Sequence, residues 1–132
     1  NWSRRMIMEL VIGKNGVELV HPDGNWDMKR GTGYSPGQTL VAAVGACGTY
    51  VFSGMLEASG IKHEVVNVKL DYENDETTRV KPIKKILVDY FMKIDENDRP
   101  RAERILELVP KNCPIMQSID PKIEVVERVH YQ

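Results

Sequence analysis

The stretch SPGQTLVAAVGACGTYVFSGMLEASG, residues 35–60, decides how this chain folds. Ser35 is a side-chain cap, Pro36 suits the first helical position and Gln38 stands at the third. Together they form a capping box. Gly60 supplies the C-terminal stop. The spacing predicts a helix from Pro36 to about Ser59, roughly 36 Å long at 1.5 Å per residue. Residues 39–56 carry no charge. That run falls just short of the ~20 apolar residues a membrane span needs. It also contains Thr39, Thr49, Ser53 and three glycines, and lacks basic flanking clusters. The expectation is a helix buried on all sides inside a soluble protein, with no membrane partner. Ala42, Ala43, Gly45, Ala46, Gly48 and Gly54 keep its surface thin, so another backbone can pack closely.

Strands read outward from this helix. MELVIG and GVELVHP alternate around a turn at Gly13–Gly16, and Trp26–Lys29 forms a short third strand. After the helix, Val66, Val68, Leu70 and Tyr72 share one face of a strand. On the next strand Ile86, Val88, Tyr90, Met92 and Ile94 do so. Asn97 or Asp98 caps a helix through RAERILELV, with Ile105, Leu106 and Val109 on its apolar side and Pro110 at its end. CPIMQSI reads as a second short helix with Cys113 at the cap and Pro114 at its first position. KIEVVERVHYQ closes the chain as a strand. This order predicts an α+β fold with a mainly antiparallel sheet. One six-stranded sheet covers only one side of the long helix. The economical cover for the other side is a second copy, and a homodimer is expected.

The 132 residues suggest one domain, 1–132. The start at Asn1 suggests that residues 1–5 are partly an appended remnant ahead of Met6 or Met8. Composition is that of a soluble globular protein, with 42% hydrophobic residues, 28% charged and a net charge of −1. Eighteen basic residues against nineteen acidic ones give no basic excess for nucleic acid. Two cysteines are too few for a disulfide scaffold and no signal peptide is visible, which points to the cytoplasm and reduced thiols. His21, His63 and His130 share no ligand spacing with the cysteines, so no metal is expected. P-loop, dinucleotide and G-x-S-x-G fingerprints are missing, so no cofactor is expected.

The chemistry therefore rests on Cys47 and Cys113. Cys113 heads a helix, where unpaired N–H groups and the helix dipole lower a thiol pKa, and Lys111 adds a nearby positive charge. As a bland alternative, it is a cap substitute. Cys47 lies mid-helix among Ala and Gly, which favours an inert core cysteine. It becomes reactive only if positive charge comes near it. Spacing alone does not bring the two sulfurs together.

The helix SPGQTLVAAVGACGTYVFSGMLEASGI, followed 66 positions later by CPIMQSI, resembles the OsmC/Ohr family of osmotically inducible and organic hydroperoxide resistance proteins. The family pattern is a proline, a helix reading roughly L-x-x-A-x-x-A-C, and a late C-P opening a second helix. Pro36, Cys47, Cys113 and Pro114 match it, and the element order matches over nearly the whole chain. The resemblance implies an intertwined homodimer, with sheets wrapped around long central helices. In its active members it also implies a thiol mechanism. Cys47 would be the peroxidatic thiolate that attacks an organic hydroperoxide and becomes a sulfenic acid. Cys113 would close a disulfide on it, and a dithiol reductant would restore both.

One departure stands out. Active members carry a glutamate directly after the helix-opening proline, and it holds the arginine that activates the thiolate. This chain has Gly37 there. Gln38 is uncharged, and the candidate arginines are Arg4, Arg5 and Arg30. The resemblance thus points to the divergent OsmC-like branch. A catalytically weakened dimer that senses redox state or binds a small apolar ligand stands as the alternative to a peroxidase. Two purely structural cysteines are the third reading.

Overall fold

The structure, a computed structural model, describes residues 7–132. Among the described residues, six strands and four α-helices follow the expected order, except that three helices rather than two precede the last strand. Arg4 and Arg5, and residues 1–5 as a whole, lie outside the described residues.

In the N-terminal unit, up to Leu40, β1 (Leu10–Gly13) and β2 (Gly16–Leu19) form an antiparallel hairpin, and β3 (Trp26–Asp27) adds to β2. Gly16 adopts φ +129° at the turn, a value that side chains resist. The α1 helix (Pro36–Ala58) opens with the expected reciprocal cap. The Gln38 backbone N–H donates to Ser35 Oγ at 3.1 Å, and the Ser35 N–H donates to Gln38 Oε1 at 2.8 Å. At its other end Gly60 has φ +71°, the Gly60 N–H donates to the Glu57 carbonyl and the Ile61 N–H to the Leu56 carbonyl. This is a Schellman closure.

In the second unit, from Val41 to Gln132, β4 (His63–Asn74), β5 (Ile83–Ile94) and β6 (Glu124–Tyr131) form one sheet in the order β4-β5-β6. Two three-stranded sheets thus replace the expected single six-stranded one. The pairing of β4 with β5 is antiparallel and that of β5 with β6 is parallel. A parallel neighbour needs a crossover. It is made by α2 (Arg99–Leu106), α3 (Val109–Asn112) and α4 (Pro114–Ser118).

β5 is the spine of the core. Ile86, Val88, Tyr90 and Met92 are fully buried on one face, as their alternation predicts. The opposite face is mixed, with Leu87 and Phe91 half-buried among Lys85, Asp89 and Lys93. There Asp89 accepts two hydrogen bonds from Arg128 and one from His130, and the His130 ring stacks on Phe91. On β4 the expected alternation slips. A bulge between Val65 and Asn67 turns Val66 outward, and Val65 pairs with the buried Met92 instead.

Two further expectations are corrected. Asp98 holds the N-cap position of α2 as expected but makes no side-chain cap bond; that bond is made by Asp95 at the preceding 3-10 turn (Glu96–Asp98), which accepts from the Asn97 N–H at 3.0 Å. Ile105, Leu106 and Val109 pack in the core as expected, joined by Ala102, but Val109 opens α3 and Pro110 sits inside its first turn rather than ending a helix.

The α1 helix is not buried on all sides within this chain. Val41, Val44, Gly45, Gly48, Phe52 and Leu56 form its buried stripe. Ala42, Ala43, Ala46, Tyr50 and Gly54 are exposed. It is also the one helix among the described residues long and apolar enough to cross a membrane.

Phe52 meets the Tyr90 ring edge-on, with centroids 5.2 Å apart, and is almost completely buried. Phe52→Ala is expected to lower unfolding free energy by about 3–5 kcal/mol in urea titration. Loss of the Ser35 cap in Ser35→Ala is expected to cost about 1 kcal/mol.

Candidate functional site

Two glycines bring α1 down onto the sheet. A Cβ added at Gly45 would overlap the Leu70 side chain, 2.4 Å from its Cδ2. A Cβ at Gly48 would stand 2.6 Å from Tyr90 Oη and 2.8 Å from Met116 Cε. The helix surface beside Cys47 is therefore in direct apposition to the Tyr90 hydroxyl. Cys47 itself is half-buried and packs against the core.

Cys113 reaches the same place from the crossover. It stands between α3 and α4 in extended conformation, φ −98° and ψ 108°, and caps α4. Its sulfur accepts the Met116 backbone N–H at 3.4 Å. Pro114 follows at the first helical position, as the sequence predicts. The Cys113 side chain is completely buried, and its thiol lies near enough to Cys47 for each to bear on the other's charge. The structure thus brings together two free thiols that spacing alone leaves apart.

The electrostatics differ from the expectation. Burial raises the Cys113 pKa, the neighbouring Cys47 raises it further, and the backbone N–H groups of Met116 and Ile115 only partly oppose them. Burial outweighs the N–H groups that a helix of a single turn offers. Lys111 is exposed on α3. Gln38 is held in the capping box, and Gly37 lies in the first turn of α1. Arg30 forms a backbone bridge with Gly33 in the N-terminal unit.

Two groups at this site were not singled out from the sequence. Glu127 on β6 faces inward, level with the buried Val88 of β5 in the parallel register. The Tyr90 hydroxyl donates to Glu127 Oε2 at 2.6 Å. Burial raises the Glu127 pKa, while the hydrogen bond from Tyr90 acts the other way. The Tyr90 hydroxyl is held far above its ordinary range, first by burial, then by Glu127, and then by charge on Cys113 and Cys47. Its response to both thiols places all four groups in one electrostatic neighbourhood. A signal for Glu127 was available. Ile123, Val125, Val129 and Tyr131 pack against the core, and Glu127 is the one charge in that alternating stripe.

The histidines are engaged elsewhere. Ser53 Oγ lies 2.6 Å from His63 Nε2, and His63 Nδ1 lies 2.9 Å from the Ile61 carbonyl oxygen. His130 belongs to the Asp89 cluster and His21 stacks on Trp26. Among the described residues, no group of three or more His, Cys, Asp or Glu side chains is placed to hold a metal ion.

A family model described as OsmC-like protein matches residues 29–128. The fold is similar to that of an OsmC-like protein from Mycoplasma pneumoniae, with a TM-score of 0.77, 12% identity and 97% of each chain covered. It is also similar to the organic hydroperoxide resistance protein OhrB of Bacillus subtilis, with a TM-score of 0.64, 17% identity, 95% of this chain and 98% of that one. An organic hydroperoxide resistance protein OsmC from Legionella pneumophila gives a TM-score of 0.62 at 22% identity, over 93% of this chain and 94% of that one. No curated protein matches the sequence.

With a raised pKa, the Cys113 thiol is neutral at pH 7. Its contribution to stability is complete below the ordinary thiol pKa of ~8.5 and is lost as pH rises through the higher folded value. In Cys47→Ser, iodoacetamide should alkylate Cys113 at least ~10-fold more slowly at pH 7 than in the same chain unfolded in urea, and the gap should narrow above about pH 9.

Proposed function

The chain belongs to the OsmC-like protein family, and from that premise we propose that it is a thiol-dependent peroxidase that reduces organic hydroperoxides through Cys47 and Cys113. The observation that carries this reading is the proximity of the two free thiols, one from the middle of α1 and one from the crossover. A pair of inert core cysteines has no need to meet. Cys47 is the more accessible of the two and is the attacking thiol, whereas buried Cys113 is the resolving one. The apolar surroundings, including Met116 and Phe52, favour a carbon-rich peroxide over hydrogen peroxide. A dithiol reductant restores the pair, and the setting is cytoplasmic, where thiols are kept reduced.

The reading includes a homodimer. It is supported by the open face of α1, on which Tyr50 is 81% exposed beside Ala43, Ala46 and Gly54. Small residues around one aromatic ring suit close packing of a second α1. Sedimentation velocity should show a dimer, and Tyr50→Arg should shift it toward monomer.

A second reading, a redox-sensing or apolar-ligand-binding dimer with weak turnover, draws on the raised Cys113 pKa and on Gly37. Free-thiol counting after mixing with cumene hydroperoxide separates the two. Peroxidase action predicts rapid loss of two thiols per chain, none in Cys47→Ser, and in Cys113→Ser the loss of one thiol as a dimedone-trappable sulfenic acid. No thiol loss over minutes in the folded, reduced protein would overturn the peroxidase reading.

A further inference from the structure

A thiol pair in an apolar site has a proton problem. Thiolate is the nucleophile, yet burial disfavours it. The usual remedy is a neighbouring cation. Among the described residues of the second unit, the polar side chains near the sulfurs are a tyrosine and a glutamate. Glu127 Oε2 accepts from Tyr90 Oη at 2.6 Å, and a Cβ on Gly48, next to Cys47, would stand 2.6 Å from that same Oη and 3.6 Å from Oε2. The Tyr90 hydroxyl thus stands between the Gly48 position of α1, next to Cys47, and an inward carboxylate, and it feels charge on Cys47 and Cys113. A glutamate in an apolar stripe costs stability unless it does something there.

We propose that Glu127 is the proton acceptor for this thiol pair, acting through the Tyr90 hydroxyl. The inference rests on the peroxidase reading of Cys47 and Cys113 and names the group that makes it work. The Cys47 S–H proton passes to Tyr90 Oη as the Tyr90 proton passes to the Glu127 carboxylate. The products are a thiolate and a neutral carboxylic acid. The site holds one negative charge before and after, so no cation is needed to balance it. Sulfur then attacks the distal oxygen of R–O–OH. An S–O bond forms, the O–O bond breaks, and its electron pair leaves on R–O⁻. The proton stored on Glu127 returns through Tyr90 to give R–OH. Cys47 becomes the sulfenic acid, oxidised by two electrons, and Glu127 is again a carboxylate. The same route serves the second step. It takes the Cys113 proton and returns it to the hydroxide that leaves as water when the disulfide closes.

The upward displacement of the Glu127 pKa brings the carboxyl closer to a thiol and suits proton exchange between them. The titratable groups that face Glu127 are Tyr90 from β5 and, past its hydroxyl, Cys47 from α1 and Cys113 from the α3–α4 junction. Asp89, Arg128 and His130 are bound to one another on the opposite face of the sheet.

The test is the pH profile of Cys47 alkylation by iodoacetamide, in the Cys113→Ser background, between pH 5 and 10. This reaction needs no peroxide, so it reads the base even if the protein consumes none. Glu127→Gln keeps an acceptor for Tyr90 and removes the base. It should slow alkylation at pH 7 at least ~10-fold and erase the carboxyl inflection, leaving only the intrinsic thiol ionisation at high pH. Glu127→Asp should restore part of the rate and the inflection. Tyr90→Phe should lose both, and it reads the same route should Glu127→Gln not fold. An unchanged profile in Glu127→Gln overturns the proposal. A faster reaction overturns it too, since Glu127 would then only repress the thiolate by its charge. Cumene hydroperoxide consumption at the original rate in Glu127→Gln would sink the role of Glu127 and leave the peroxidase intact. Slowed alkylation with no consumption in the unmodified protein would do the reverse.

Discussion

The second unit depends on how closely α1 can approach β5. That approach is set by the absence of a side chain at Gly48, where even one carbon would fall 2.6 Å from Tyr90 Oη. Gly45 does the same one turn earlier against Leu70. Close packing there allows Phe52 and Tyr90 to meet edge-on and seal the core below. It also sets Cys47, the residue before Gly48, at the level of the Tyr90 hydroxyl. In most helices a glycine weakens the element by about 1 kcal/mol relative to alanine. Here the loss is offset by core contacts that no larger residue would permit.

Much of this architecture was legible because local chemistry and tertiary context agree. The Ser35–Gln38 box and the Gly60 stop bounded α1 to within a residue, since both are backbone-level signals that packing does not override. The buried face of β5 was legible for the same reason, its period being strict from Ile86 to Ile94. Val66 was misplaced because a bulge leaves no mark in an alternating pattern. The Asp95 side-chain cap was missed because four acidic or amide residues, Asp95 to Asp98, follow one another there, and only the turn geometry chooses among them. The division into two sheets and the parallel β6 depend on pairing between distant segments, which periodicity does not record.

Of the site, both cysteines were legible and their meeting was not. Burial of Cys113 reverses the expected influence of its helix, since desolvation of the sulfur outweighs the N–H groups of Ile115 and Met116. Glu127 was visible as a charge out of pattern and was passed over as part of a closing strand. Its neighbour Arg128, one residue on, faces the other side of the sheet and pairs with Asp89. Two adjacent charges on one strand thus have opposite fates. One is solvated and paired outside, and the other is enclosed with a tyrosine.

The position of Cys113 on the crossover has a thermodynamic side. A covalent link from it to Cys47 would enclose roughly 66 residues of chain, among them all of β4, β5 and α2. Closing a ring of that size removes conformational freedom from the unfolded chain worth about 4 kcal/mol in the loop-entropy model. The oxidised molecule would then resist unfolding more than the reduced one. Each cycle of oxidation and reduction would tighten and loosen the unit that carries the chemistry, and melting temperature would become a readout of redox state.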